Sequence, residues 1–121
     1  MRIILLAISL LASLSLQAQE VPKEQWIAAM KTALPAYFCH EEQYFRQCFE
    51  VSATECEDVA ASTTRICLNE INSQIPAILV QPNDGSTWGT KVGTCAGSAY
   101  ESTLIKKRIS NEKCNNASNW Q

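Results

Sequence analysis

The sequence is poor in the side chains that most enzymes rely on. Its 121 residues include one histidine, His40. A hydrolytic triad needs a nucleophile, a base and a group that orients the base, and His40 has no such partners at a useful spacing. It stands between Cys39 and the pair Glu41 and Glu42, where a helical histidine is ordinarily a solvated surface residue. There is no GxSxG and no Gly-rich phosphate loop. TWGTKVG, residues 87–93, matches no phosphate-binding pattern. No residue is therefore assigned a catalytic role, and no cofactor is expected. The enzyme class that survives is a small carboxylate-based hydrolase built on Glu41 and Glu42 or on Glu55, Glu57 and Asp58.

Basic charge is also scarce. Leaving out Arg2, nine Lys and Arg stand against twelve Asp and Glu, a net charge of −3. Nucleic-acid binders carry a basic surface, so no nucleic-acid partner is expected. The charge is uneven, with Glu41, Glu42, Glu50, Glu55, Glu57 and Asp58 crowding one segment and Lys106, Lys107 and Arg108 forming a basic run. Two solvated helix faces account for this; a dipolar recognition surface is the sharper reading.

Long apolar runs are missing after the first residues. MRIILLAISLLASLSLQAQE, residues 1–20, has a positive n-region at Arg2, an apolar stretch from Ile3 to Leu16, and the small residue Ala18 at a cleavage point. The run is shorter than the roughly 20 residues of a bilayer span. It predicts a secretory signal peptide over 1–18 and a single domain over 19–121. No membrane insertion is expected after cleavage, and the destination is periplasmic or extracellular.

Closely spaced cysteines are absent too. Cys39, Cys48, Cys56, Cys67, Cys95 and Cys114 are separated by 8, 7, 10, 27 and 18 residues. Structural zinc sites favour pairs two to four residues apart, and dithiol redox centres use Cys-x-x-Cys, so no metal site is expected. An even count in an exported chain reads as three disulfides.

What is present is helical patterning. Pro22 opens a helix over about 22–34, with Trp26, Ile27, Met30 and Leu34 on one face, ended or kinked by Pro35. Tyr37, Phe38, Tyr44, Phe45, Cys48 and Phe49 make an aromatic stripe on a second helix over about 36–48. Ser52-Ala53-Thr54-Glu55 is a capping box that starts a third helix, which stops before Pro76. A fourth starts either near Val92 or at the second capping box, Ser98–Glu101, and runs to about 110. Between them, AILV followed by Pro82-Asn83-Asp84-Gly85 suits a short β-hairpin near 77–90 or a structured loop. The tail from Asn111 reads as irregular.

Helical rise keeps Cys39 from Cys48 and Cys56 from Cys67, since nine and eleven residues span about 13.5 and 16.5 Å, beyond disulfide reach. Cys48–Cys56 is the favoured bond, across a helix–helix corner. One scheme then adds Cys39–Cys67 and Cys95–Cys114. Its geometry resembles the twin Cx9C helical hairpin of small mitochondrial intermembrane-space proteins, although the spacings here are Cx8C and Cx10C and the export signal points elsewhere. The other scheme adds Cys67–Cys95 and Cys39–Cys114.

The expected fold is mainly α, a disulfide-stapled bundle of about four helices. The expected function is non-catalytic binding of another protein, as an inhibitor, an immunity-like protein or a secreted interaction protein. The candidate recognition loop runs from Pro82 to Trp88 and presents Asn83, Asp84 and Trp88, tryptophan being enriched at interface hot spots. Trp88 folded inward as a cap on the core is the competing reading.

Overall fold

The computed structural model describes residues 19–120. The expected signal peptide, residues 1–18, lies outside the described residues. The chain runs β1 (Glu20–Pro22), α1 (Lys23–Phe38), α2 (Tyr44–Gln47), α3 (Ala53–Ile71), β2 (Ile78–Val80), α4 (Asn83–Thr103) and α5 (Glu112–Asn115), with 3-10 turns at Asn72–Gln74, Ile105–Lys107 and Ala117–Trp120. The protein is mainly helical, with three long helices, short ones and a two-stranded antiparallel sheet.

The central helix is α3, which packs against both α1 and α4. Its start follows from the capping box: Ser52 Oγ accepts from Glu55 N–H at 3.1 Å, satisfying one of the free donors of the first turn. Cys56, Ala60, Thr63, Thr64, Cys67 and Leu68 form its buried face. The two buried threonines turn their hydroxyls back onto Ala60 O, at 3.1 and 2.7 Å, so neither leaves an unpaired polar group in the core.

Pro35 does not end α1. It lies three residues before the helix end, inside and buried. A proline removes one backbone donor, and the next turn still closes, with Cys39 N–H on Pro35 O at 3.1 Å. The expected second helix over 36–48 is divided accordingly. Residues 36–38 finish α1, residues 39–43 turn, and only Tyr44–Gln47 is a separate helix.

The aromatic stripe packs as a core cluster. Phe38 stacks on Phe45 with centroids 4.3 Å apart. Tyr100 of α4 meets Phe45 and Phe49 edge-on at 5.1 and 5.2 Å. Such pairs add about 0.5–1.5 kcal/mol each beyond area burial. Tyr100 is fully buried, and its hydroxyl donates to Phe45 O at 2.8 Å. Burial pushes its pKa up to about 12, with the Arg46 charge opposing the rise and Glu55 adding to it. Tyr37 departs from the stripe and is 61% exposed.

The segment near 77–90 does not form a hairpin. Its strand, β2, pairs with β1, in the register Glu20↔Val80, Val21↔Leu79 and Pro22↔Ile78. Alternation puts Leu79 inside and Ile78 and Val80 outside. Both edges of this small sheet are blunted. Pro22 has no donor to offer, and the outward N–H of Val80 is taken by Asp84 Oδ2 at 2.7 Å.

The turn signal Pro82-Asn83-Asp84-Gly85 opens a helix instead. Proline and acidic residues suit a helical first turn as well as a β-turn, and α4 runs unbroken from Asn83. The second capping box lies inside it, and α4 stops at Thr103, short of the expected 110. Lys106, Lys107 and Arg108 therefore lie beyond the helix and make tertiary contacts. Lys107 pairs with Glu55, and Arg108 Nε donates to the Tyr44 hydroxyl at 2.9 Å. The tail is ordered as well: Asn111 Oδ1 caps α5 by accepting from Cys114 N–H at 2.7 Å.

The disulfides are Cys39–Cys56, Cys48–Cys114 and Cys67–Cys95. The favoured Cys48–Cys56 bond is not formed, and neither are the remaining bonds of the nested scheme or Cys39–Cys114. The reason is the turn at 39–43. It leaves Cys39 at the end of α1, against the first turn of α3, where Cys56 waits with its Cα 5.8 Å away. Cys48 then ends α2 on the far side, where the tail returns: Ile109 N–H donates to Cys48 O at 2.8 Å. Cys67 and Cys95 join the facing sides of α3 and α4, their Cα atoms 5.9 Å apart.

Candidate functional site

Because α3 separates them, α1 and α4 make few contacts with each other. An open groove of about 550 Å³ lies between them, within the range of ligand-sized pockets. Leu34, Tyr37 and Phe38 form one wall; Gly85, Gly89 and Gly93 form the floor of the other, flanked by Ser86, Thr90 and Thr94.

The floor has a sequence origin. Residues 85–100 read GSTW-GTKV-GTCA-GSAY, four tandem tetrads of glycine, a hydroxyl residue, a variable residue and an apolar or aromatic one. The four glycines are all the chain has. In a helix, residues four apart form one row along the surface. Of the fourth-position row, Val92, Ala96 and Tyr100 are buried and Trp88 packs at the core's edge. The glycine row runs beside it along the groove.

The glycines are not equivalent. A Cβ on Gly97 would come within 3.0 Å of Phe45, so this glycine lets the α2 ring approach. A Cβ on Gly89 or Gly93 would meet nothing within 4 Å. Glycine inside a helix costs about 0.8–1.0 kcal/mol relative to alanine. The internal packing of the protein gives no reason to accept that cost at positions 89 and 93.

The residues expected to form a recognition loop occupy the first two turns of α4. Asn83 is exposed. Asp84 guards the β2 edge through Val80. Trp88 is half-buried against the core, with Lys91 Nζ 4.4 Å over its ring. The three residues sit on a helix and do not project together from a loop. His40 is exposed in the turn after α1, where its Nδ1 accepts from Glu42 N–H at 3.4 Å. Of the carboxylates considered for hydrolysis, Glu55 is engaged by Lys107, and Glu41, Glu42, Glu57 and Asp58 are exposed.

A second cluster was not legible in the sequence. The Tyr44 hydroxyl donates to Glu101 and accepts from Arg108, whose Nη2 donates to Cys114 O at 2.9 Å. Burial and the Glu101 hydrogen bond hold the Tyr44 phenol above its ordinary pKa, against the pull of Arg108. Trp120 closes edge-on over Tyr44 at 5.7 Å and donates from Nε1 to Lys113 O at 3.0 Å. Cation, phenol and carboxylate satisfy one another, so the cluster latches the C-terminal tail to α2 and α4. The partners are 57 and 64 residues apart in sequence, and no local motif announces them.

Fold and framework define a class: a small domain of three long helices, stapled by three disulfides. No helix among the described residues is long and apolar enough to cross a membrane. One family model, described as T2SS substrate NttA, matches residues 20–108, and the chain belongs to that family. Membership places the protein outside the cell, exported across the outer membrane by type II secretion. The matched stretch holds five of the six cysteines and the whole groove; Cys114 and the latched tail follow it. No curated protein and no solved structure gives a significant match.

Proposed function

We propose that the protein acts outside the cell as a non-catalytic binding protein, and that the groove between α1 and α4 receives a helix of another protein. The observation that carries this reading is the pair Gly89 and Gly93, which weaken α4 without relieving any contact inside the molecule. Bare backbone at four-residue spacing makes a furrow into which a helix ridge fits at close range. Tyr37 stands 61% exposed on the opposite wall, and tyrosine is a residue type enriched among interface hot spots. The disulfides keep α3 fixed to both of its neighbours, so the groove is pre-organised and binding needs little ordering. We further propose that residues 1–18 are the export signal, removed before the protein folds outside the cytoplasm.

The test is a photo-crosslinking side chain in place of Ser86, an exposed residue on the rim of the groove, in the oxidised protein, with a control at Glu57 on α3. The protein is offered to surface extracts of cells that the bacterium meets. One protein adduct at position 86, lost on Tyr37→Ala without change in melting temperature, supports the reading. Equal labelling from both positions, or none from position 86, contradicts it.

A further inference from the structure

Five of the six half-cystines are buried, at 8% exposure or less. Cys95 is the exception and is partly open to solvent. Thiol–disulfide exchange needs a thiolate to reach a sulfur, so Cys67–Cys95 is the bond that an external reductant meets first. It also has a carboxylate beside it. Glu70 Oε2 lies 3.9 Å from Cys95 Sγ. The disulfide sulfur carries no hydrogen, so no hydrogen bond explains the approach. Nor does an ion pair hold Glu70, since the one pair among the described residues joins Lys107 and Glu55.

Cys67 and Glu70 are three apart on α3, a spacing that puts both side chains on one face, and Cys95 faces them from α4. One ligand atom from each of the three lies within 4.8 Å of the others. We propose that opening Cys67–Cys95 creates a site for a zinc-class divalent ion, held by the two thiolates and the Glu70 carboxylate. Three protein ligands leave a fourth position for water, and sulfur ligands select zinc over magnesium or calcium. Thiolates on zinc stand about 3.8 Å apart when each bond is about 2.3 Å, a separation reached once the sulfurs are no longer bonded. This inference does not rest on the groove.

The reductant is a dithiol. One of its thiolates attacks Cys95 Sγ; the S–S bond breaks, and Cys67 leaves as a thiolate. The second thiol displaces Cys95 and closes the reductant's own disulfide, so two electrons pass to the protein. Zinc then binds the two thiolates, and any proton they carry is released to solvent. In the oxidised state the Glu70 charge repels an approaching thiolate. Glu70 thus slows reduction and, afterwards, helps to hold the metal.

The experiment uses the protein purified from culture medium. It is titrated with dithiothreitol without oxygen, alkylated and mapped; a parallel sample is freed of reductant and titrated with zinc against a chromophoric chelator. Cys67–Cys95 should open first, and the reduced protein should take up one zinc per chain. Glu70→Gln should weaken zinc binding by about tenfold or more and speed reduction, opposite effects that a merely structural role for Glu70 would not produce. Earlier opening of another disulfide overturns the proposal. So does zinc uptake no greater than that of the oxidised protein, a control that needs no substitution, or zinc affinity unchanged in Glu70→Gln.

Discussion

Replacing Gly89 and Gly93 by alanine should make this protein more stable. The two positions are inside α4, and an added Cβ at either meets nothing within 4 Å. Each change removes a glycine's excess backbone freedom, worth about 0.8–1.0 kcal/mol. The sites are one turn apart, close enough to couple, so the double variant should gain about 1–2 kcal/mol. A domain of this size moves by roughly 4–8 °C per kcal/mol, so its melting temperature should rise by about 4–16 °C. Gly97→Ala is the internal control. Its Cβ would stand 3.0 Å from the Phe45 ring, and crowding there offsets the helix gain. The assay is urea unfolding followed by circular dichroism, with unchanged m-values required for the comparison. Lower stability in Gly89→Ala or Gly93→Ala would show instead that an internal contact needs these glycines. A stabilised variant that loses partner capture would show the opposite, that the glycines serve the surface.

Three further outcomes follow from the structure. Removing Cys48–Cys114 by double Cys→Ala should destabilise more than removing Cys39–Cys56: the separations are 66 and 17 residues, which the chain-entropy model converts to about 4.3 and 3.1 kcal/mol; equal losses in denaturant melts would contradict that ordering. Tyr100 has a folded pKa of about 12 against a reference value of 10.0. Its contribution to stability is therefore complete below pH 10 and lost as pH rises through about 12; phenolate absorbance and ellipticity should change together in that window, and ionisation of all three tyrosines at pH 10 in the folded protein would refute it. Tyr100→Phe leaves Phe45 O without its 2.8 Å donor and should cost about 1–3 kcal/mol; a shift below about 0.5 kcal/mol in urea would show that the hydroxyl bond contributes little.

The helical class and the cystine framework were legible because they rest on local signals. Ser52 and Glu55 fixed the start of α3, and the burial of Cys56, Ala60, Thr64 and Cys67 follows the helical period. The errors came where one local signal serves two structures. Pro82-Asn83-Asp84-Gly85 is a turn signal and also a helix start, and only the pairing of β2 with β1 decides between them. Pro35 stops a helix in general but sits near enough to the end of α1 to be carried. Cys67–Cys95 of the second scheme is formed, but the pairings of Cys39 and Cys48 failed at the turn over 39–43, since one continuous helix there would have put Cys48 beside the start of α3. The groove left a plain trace, the glycine tetrads of residues 85–100, which a search for helical periodicity in apolar residues passes over. The Tyr44–Glu101–Arg108 latch left none, because it depends on where three distant segments meet.

We propose that this stapled helical domain works by binding a helix of another protein in the α1/α4 groove. Its most direct test is the photo-crosslink from position 86, on the groove rim, in the oxidised protein. The expected result is a single protein adduct whose cross-linked residues fall on one helix of the partner, competed away by unlabelled protein. Adducts that are equally frequent from position 57, or that persist at full strength under competition, would contradict it.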